Sequence, residues 1–580
     1  MAQFDTIIKG GTVVDGTRVP RYKADIGVKN GKIVQIGRLN ASDAAKVLDA
    51  TGLIVAPGFI DLHTHYDAQL HWDPYCSIGG WHGVTSVTIG NCGFGFAPVY
   101  AKDFDRALLS LSRNEAIPLE PMKVSMAPEW ETFPQWMDHL DRLPLGINLS
   151  QLVPVTPLVA YAMGGFTEAK KRLPNEKEVQ TAIRLFHEAM QAGAIGWGAQ
   201  RLFPESTASV QRDYDGTPMI SDVLPDEFYL SLAQALRDYG PGFIQITQSS
   251  ATPNDQGVGM QRDMDFSAQL AEQSAHAVIY NALVVNDSTI EPLRLQLKWL
   301  AEVNAKGLPV FGQAASVRAP FVINFQDWNL FDDSAAWREA TLGTVEEKKA
   351  KLAKTEFRQA ARAEYDAGTP TRDFIFGELR KYIAQKIVRP DFQKYLGLTV
   401  EEIAKRENKH VIDAMLDLTL ADDLQTEWLG PVVNNNAQYH KEMLSSPAAI
   451  PGVSDGGAHI KFLALGVYPT DLLSWQVRET GILSLEEAHF RLSALPAWAA
   501  QFKDRGTLRE GQAADIVVYD LDRLKVLPME VVYDLPAGEW RRVQRAEGYK
   551  YIMVNGGVTF EDGKCTGAVP GKLLRHGRAV

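Results

Sequence analysis

The sequence predicts an α/β protein. Its core is a (β/α)8 TIM-like barrel, with a small β-sandwich built from both chain ends and a helical insertion before the last barrel strand. Three observations carry that expectation. The middle of the 580-residue chain alternates short apolar strand patterns with helical periodicity, the signature of parallel β/α units. Both ends show short alternating strands separated by glycine turns, the pattern of antiparallel sheet. The length also exceeds what one core supports, since cores stop growing near ~250–300 residues.

Residues 1–55 form the first half of the sandwich, with strands expected at Phe4–Lys9, Thr12–Val14, Ala24–Lys29 and Lys32–Gly37. Residues 501–580 supply the second half and a tail, with strands at Asp515–Asp520, Gly548–Val554 and Val558–Asp562. Neither half has enough strands to be stable alone, whereas two halves bracketing a large middle can pair, because chain ends often lie close together. Residues 56–500 hold the barrel. Its strands are expected at Val55–Leu62, Ser86–Gly90, Asn148–Val153, Ile195–Gln200, Gly242–Thr247, Ala277–Asn281, Leu308–Gln313 and Val453–Asp455. Helices read clearly at Glu176–Ala192, Asp226–Asp238 and Asp265–Ser274. An open doubly wound sheet is the alternative. Residues 320–445, with helical stretches at Thr344–Ala367 and Val400–Asn408 and with Trp328 and Trp337, read as a surface excursion or as a lid.

Bulk properties narrow the function. The net charge of −12 and the lack of a Lys/Arg run argue against a nucleic-acid partner. No apolar stretch approaches the ~20 residues that cross a bilayer. The opening MAQFDTIIKGG is not a signal-peptide pattern. Cys76, Cys92 and Cys565 give no disulfide framework and fit a reducing compartment. The expectation is a cytoplasmic protein without a membrane partner, acting on a small molecule, with a homo-oligomer favoured on general grounds.

Three stretches carry chemistry. Ala56-Pro-Gly-Phe-Ile-Asp-Leu-His63-Thr-His65 is an apolar strand ending in His-x-His. Side chains two apart on a strand share a face, so His63 and His65 converge on one ion, and imidazole suits zinc and its neighbours. Asp61 shares their parity and either points inward beneath them or serves as a hydrogen-bond partner of a histidine. Gly83-Val-Thr-Ser-Val-Thr-Ile-Gly-Asn-Cys92-Gly ends a second strand in a cysteine, whose thiolate is a good zinc ligand. The competing reading of Cys92 is a small buried apolar residue. Pro451-Gly-Val-Ser-Asp455-Gly-Gly-Ala-His459 ends the last strand in a carboxylate suited to general acid–base work beside a metal. A turn aspartate is the competing reading. His459 reads as a metal neighbour, a substrate contact or a loop residue, and His440 as a weaker candidate for the same site. His82 falls at the wrong end of the barrel.

Together these stretches resemble the amidohydrolase superfamily, and within it the N-acyl-D-amino-acid deacylases. The resemblance extends to Asp5-Thr-Ile-Ile-Lys-Gly-Gly-Thr-Val-Val-Asp-Gly near the start, Gly193-Ala-Ile-Gly-Trp-Gly-Ala-Gln, Gly511-Gln-Ala-Ala-Asp-Ile-Val-Val-Tyr-Asp and the glycine-rich ending. It implies hydrolysis of an amide bond by metal-activated water. His63, His65, Cys92 and Asp455 would be metal ligands, with Asp455 also the catalytic acid/base. The family's histidines on the fifth and sixth strands are replaced. Gln248 and Asn281 are read at those positions, so one divalent ion per chain, zinc, is expected. Lys461, Arg201 and Arg318 are the candidates to receive a substrate carboxylate, and a substrate without one is the alternative. A catalytically inactive scaffold, or a metal hydrolase acting on a lactam, another amide or a C–C or C–O bond, stays open as a competing function.

Overall fold

The computed structural model describes residues 2–203, 212–251, 256–286, 290–327, 334–368, 373–374 and 377–576. Eight parallel strands follow one another along the chain: β1 (Phe59–Asp61), β2 (Val84–Ile89), β3 (Asn148–Gln151, continued by Val153–Pro154), β4 (Gly196–Leu202), β5 (Phe243–Ser249), β6 (Ala277–Leu283), β7 (Val310–Ala315) and β8 (Ala449–Gly452). They form a three-stranded arc, β1-β2-β3, and a six-stranded arc from Val153–Pro154 through β8. Every pairing within both arcs is parallel. Leu152 joins the arcs covalently. On the other side, just beyond the strand ends, Thr64 pairs in parallel with Gly456, and the His65 N–H donates to the Gly456 carbonyl at 2.7 Å.

Helices alternate with the strands for local reasons. Glu176–Gln191 starts at a capping box in which Asn175 and Glu178 satisfy each other's backbone N–H groups. Its buried residues Ala182, Leu185, Phe186, Ala189 and Met190 recur at three- and four-residue intervals, so one stripe faces the core. Each large apolar side chain on that stripe contributes about 1.5–3 kcal/mol by leaving water. No helix among the described residues is long and apolar enough to cross a membrane.

The run expected as one strand, Val55–Leu62, is divided between two sheets. Ile54–Pro57 pairs antiparallel with Ile516–Tyr519 inside a nine-stranded sheet that joins both chain ends. Phe59–Asp61 is β1, paired with β2. Gly58 sits at the division because the chain passes close to Thr85: a Cβ there would lie 2.2 Å from Thr85 Oγ1. The nine-stranded sheet buries Ile8, Val13, Ile26, Val55, Ile516 and Met553 in a cluster of its own.

Three further expectations are corrected. The last strand is Ala449–Gly452, not Val453–Asp455, because Val453 and Asp455 have φ of +51° and +44° and so leave extended geometry. The stretch Thr344–Ala367 is two helices, Val345–Leu352 and Thr355–Asp366, separated at Ala353 and Lys354. The insertion before β8 is also mixed rather than purely helical. Val322–Ile323, Glu427–Leu429 and Ile383–Lys386 form a three-stranded antiparallel sheet in it. Trp337, Leu352, Ile403, Met415 and Trp428 pack there as a second core. Trp328 lies outside the described residues.

Candidate metal centre

The apolar β1 delivers the His-x-His pair into the interior, where His63 and His65 are each 1% exposed. Strand parity holds through the motif: Thr64, between them, turns the other way and donates to the Thr88 carbonyl at 2.7 Å. Cys92 arrives by a turn. Gly90, at φ +82°, bends the chain out of β2 where a Cβ would lie 2.5 Å from the Leu152 carbonyl oxygen. The Cys92 N–H donates to Gln245 Oε1 at 2.6 Å, and the thiol lies 3.4 Å from His63 Nε2 and 3.2 Å from Thr247 Oγ1. Asp455 follows β8, with Oδ1 3.3 Å from His63 Nε2 and 3.8 Å from His65 Nε2. Its side chain keeps 21% exposure, so it borders the solvent-accessible side.

Cys92, Asp455 and His459 all adopt left-handed backbone, at φ +54°, +44° and +55°. Such conformations cost about 1–3 kcal/mol each and concentrate at functional sites.

The spacing fits an ion. Ligand atoms of His63, His65 and Cys92 all lie within 4.8 Å of one another. Around a tetrahedral ion with nitrogen or oxygen ligands at ~2.0–2.1 Å, neighbouring ligand atoms are about 3.4 Å apart, and about 3.6 Å where one is a thiolate. A direct N–H···O hydrogen bond would be ~2.7–3.2 Å. The 3.3 Å between His63 Nε2 and Asp455 Oδ1 is slightly longer than such a bond, and the 3.4 Å to Cys92 Sγ suits a shared ion as well as an S–H···N contact. The other ring nitrogen of His63, Nδ1, is 3.0 Å from Gln313 Oε1, which orients the ring so that Nε2 faces Cys92 and Asp455.

Electrostatics agree with this chemistry. Burial holds His63 down to about 4, and burial with the neighbouring His63 and His459 rings holds His65 well below its usual value. Both are therefore neutral near pH 7, the state that ligates. Burial raises Asp61 to about 7, against a hydrogen bond from Ser454 and the His63 N–H at 3.2 Å. Burial and the nearby Asp61 raise Asp455 to about 7. Burial, with Glu115 and Asp455 close by, pushes the Cys92 thiol well up. A cation in this pocket reverses the preferences of the thiol and the carboxyls.

Several expected positions are reassigned. Gln248 does not face the histidines: its Nε2 donates to the Asp263 carbonyl and to Ser267 Oγ, each at 2.6 Å, on the helix Val258–Ser274. Strand parity explains the error. Gln245 and Thr247 are the inward residues of β5, so a reading off by one residue picks the wrong face. Asn281 does reach the centre, with Nδ2 2.9 Å from His63 Nδ1 and 3.0 Å from Thr247 Oγ1. His440 belongs elsewhere, hydrogen-bonded to the Asn434 carbonyl at 2.8 Å and to Gln476 at 3.1 Å. Lys461 pairs with Asp327 at 3.0 Å and Glu539 at 3.1 Å. Arg201 pairs with Asp226, and Arg318 with Asp471 at 2.6 Å, so each candidate receptor for a substrate carboxylate already holds one of the chain's own. His459 does join the centre, with Nε2 3.5 Å from Glu115 Oε2. Glu115, 1% exposed at the end of helix Phe104–Glu115, is also 3.6 Å from His65 Nε2. Glu115, Gln245, Thr247 and Gln313 escape a motif search. None sits beside a recognisable ligand spacing, although the inward parity of β5 and β7 marks Gln245, Thr247 and Gln313.

Side chains able to hold an ion cluster at the carboxyl ends of parallel strands, an arrangement that points to a class of protein, and a family model gives that class. The model of the amidohydrolase family matches residues 46–560, and the chain belongs to that family, hydrolases of carbon–nitrogen bonds other than peptide bonds. Among its relatives, a D-aminoacylase of Alcaligenes xylosoxydans xylosoxydans is 24% identical over 581 residues, covering 98% of this chain and 97% of that one. An uncharacterized protein of Mycobacterium tuberculosis is 29% identical over 553 residues, covering 89% and 84%. The crystal structure of an N-acyl-D-glutamate deacylase from Bordetella bronchiseptica, complexed with zinc and a phosphonate inhibitor, superposes with a TM-score of 0.67 at 21% identity over 99% of both chains.

Proposed function

We propose that this chain is a metal-dependent amidohydrolase cleaving the amide bond of a small N-acylated compound, as an N-acyl-D-amino-acid deacylase does. One observation carries the reading: ligand atoms of His63, His65 and Cys92 lie within 4.8 Å of one another, and Asp455 Oδ1 stands 3.3 Å from His63 Nε2 and 3.8 Å from His65 Nε2. The two parallel arcs are read as one (β/α)8 barrel with this centre at its carboxyl end, where active sites of that fold sit. The nine-stranded sheet is read as the accompanying sandwich and residues 320–445 as a lid.

His63, His65, Cys92 and Asp455 would hold one divalent ion tightly, and zinc suits their mixture of imidazole, thiolate and carboxylate. Such an ion supplies Lewis acidity, polarising a carbonyl and making water a stronger acid. Gln313 holds the His63 ring in place through Nδ1. Asp455, bordering solvent, takes the proton of the attacking water and returns it to the departing nitrogen. Asn281 also forms part of the wall of a cavity of about 350 Å³ lined by Gln248, Met260, Met264, Tyr280 and Trp299, a wall that includes none of the four proposed ligands. The paired state of Lys461, Arg201 and Arg318 favours a substrate without a free α-carboxylate.

The test is metal content by mass spectrometry on wild type and His63→Ala, followed by a screen of N-acyl-D-amino acids and neutral N-acyl amides for amine release. The expected result is zinc in wild type, its loss in the variant, and amine release by wild type alone. A wild-type chain that takes up no metal when metal is supplied sinks the reading.

A further inference from the structure

The cavity of about 350 Å³ lies between the strands β5 and β6 and the helices Val258–Ser274 and Ile290–Ala305. Strand parity sets it apart from the metal centre. Gln245 and Thr247 of β5 reach Cys92, so Ile246 and Gln248 face the other way, toward the helices. Tyr280 pairs in register with Ile246 and shares that outer face, whereas Asn281 pairs with Thr247 and reaches His63. Each helix turns one stripe to the cavity. Met260, Asp263, Met264 and Ser267 recur at helical intervals, and so do Pro292, Gln296 and Trp299. Gly257 and Pro292 are exposed, whereas Ser267, Tyr280 and Met264 are buried, so the cavity runs from the surface inward.

Two polar groups of that outer strand face are left unpaired. The Gln248 amide is pinned by its nitrogen, which donates to the Asp263 carbonyl and to Ser267 Oγ, while its Oε1 is buried without a partner. The Tyr280 hydroxyl is also buried without a partner, and burial alone pushes it above its ordinary range. Buried polar atoms are nearly always satisfied, a tyrosine hydroxyl included. Around them the wall suits a ring. Trp299 meets Tyr280 edge to face at 5.9 Å, and the thioethers of Met260 and Met264 adapt to aromatic neighbours. The one carboxylate among the described wall residues is already answered: Asp263 accepts from the Ser250 N–H at 2.8 Å and its hydroxyl at 2.5 Å, with Arg201 3.7 Å away.

We propose that this cavity is a binding site for a small uncharged molecule with an aromatic body and a head that both donates and accepts a hydrogen bond, such as an alcohol or a primary amide. The head donates to Gln248 Oε1 and accepts from the Tyr280 hydroxyl, so one ligand satisfies both groups. The ring fills the space among Trp299, Met260 and Met264. The volume falls within the ~300–1,000 Å³ of small-molecule sites. The site does not depend on a bound ion.

The probe is 2-phenylethanol, which is uncharged and has no amide to hydrolyse. Its binding to the full chain is measured by saturation-transfer NMR and calorimetry. Wild type should bind it saturably at one site, and phenylacetate, a similar body carrying a negative charge, should not compete. Tyr280→Phe keeps the ring and removes one hydrogen bond, so affinity should fall about 2–10-fold. Met260→Trp, at a half-buried wall position, should fill the space and abolish binding. Circular dichroism identifies the folded variants, and Tyr280→Phe decides alone if Met260→Trp does not fold. No saturable binding by wild type means a cavity that holds water only and overturns the site. A folded variant that binds as wild type does places the probe elsewhere and overturns it too. Phenylacetate binding as tightly as the alcohol overturns the uncharged class of ligand.

Discussion

The molecule buries two kinds of histidine, and they differ in what they face. His63 and His65 point Nε2 at other ligand-type atoms, a thiol and carboxylates, at 3.3–3.8 Å. His82, His440 and His489 are equally buried but hold ordinary acceptors at hydrogen-bond length. His82 meets Thr470 Oγ1 at 2.7 Å and the Gln544 carbonyl at 3.0 Å, His440 the Asn434 carbonyl at 2.8 Å, and His489 the Tyr519 hydroxyl at 2.7 Å. Burial therefore does not identify a ligand. The identity and distance of the partner separate the two kinds: the satisfied imidazoles are packing, and the cluster of ligand-type atoms around His63 and His65 is where an ion is proposed.

The contrast breaks most sharply at Asp455. Asp455→Asn keeps the shape of the centre and removes its proton carrier, so kcat should fall by about 10²–10⁴-fold. Steady-state kinetics beside metal analysis checks this, and an unchanged kcat would place the acid–base group elsewhere.

The packing histidines should announce themselves through pH. His71 belongs with them, its Nδ1 3.0 Å from the Ala68 carbonyl, and burial holds His71 and His82 at about 4 and His489 at about 3 in the folded chain. Above about 6.5 both folded and unfolded chains leave them neutral, and they contribute no slope. Below that, the unfolded chain binds protons that the folded chain refuses, so stability falls as pH falls toward 4. The loss is about 1.4 kcal/mol per pH unit for each histidine, about 4 for the three together. Denaturant midpoints between pH 7 and 4.5 measure it. His489→Phe should change the slope by about 1.4 kcal/mol per pH unit below about 6.5, and an unchanged slope would mean that His489 titrates normally in the folded state.

Gln313→Leu tests orientation rather than ligation. It removes the acceptor on His63 Nδ1 and should weaken metal affinity roughly 10–100-fold, read by competition with a chelating dye. Affinity equal to wild type would show that Asn281 alone orients the ring. The smallest effect on the centre is expected at His440. His440→Phe leaves the Asn434 carbonyl without its donor and should cost about 1–3 kcal/mol of stability with metal content unchanged. Lost metal there would bring His440 back into the site.

Much of this arrangement is legible in the residues, and the gaps have physical causes. His63 and His65 are readable because strand parity is local: two positions apart on an apolar run means one face. Cys92 and Asp455 are readable as residue types at strand ends, but not as left-handed positions, since φ is set by the close packing of Gly90 on Leu152 and by the exit from β8. Gln248 is misread by one residue because a polar, unpatterned strand end does not fix its own register, and Thr247 takes the inward place. Glu115 is invisible in sequence. It ends a helix between β2 and β3, and only the fold brings that helix end to His65 and His459. The insertion's small sheet is hidden for a similar reason, because its three strands are short and far apart in the chain.

Gly58 carries a consequence for how the protein is made. The strand just before it, Ile54–Pro57, has its antiparallel partner at Ile516–Tyr519, near the opposite end of the chain. A ribosome adding roughly 5–20 residues per second reaches that partner long after His63 and His65 have emerged. Pairings of such high sequence separation form late, because the loop they close must be ordered first. The histidine pair is thus among the first parts of the protein to be synthesised and among the last to be held in place. Capture of the ion belongs to the end of folding, when the finished chain locks its own beginning.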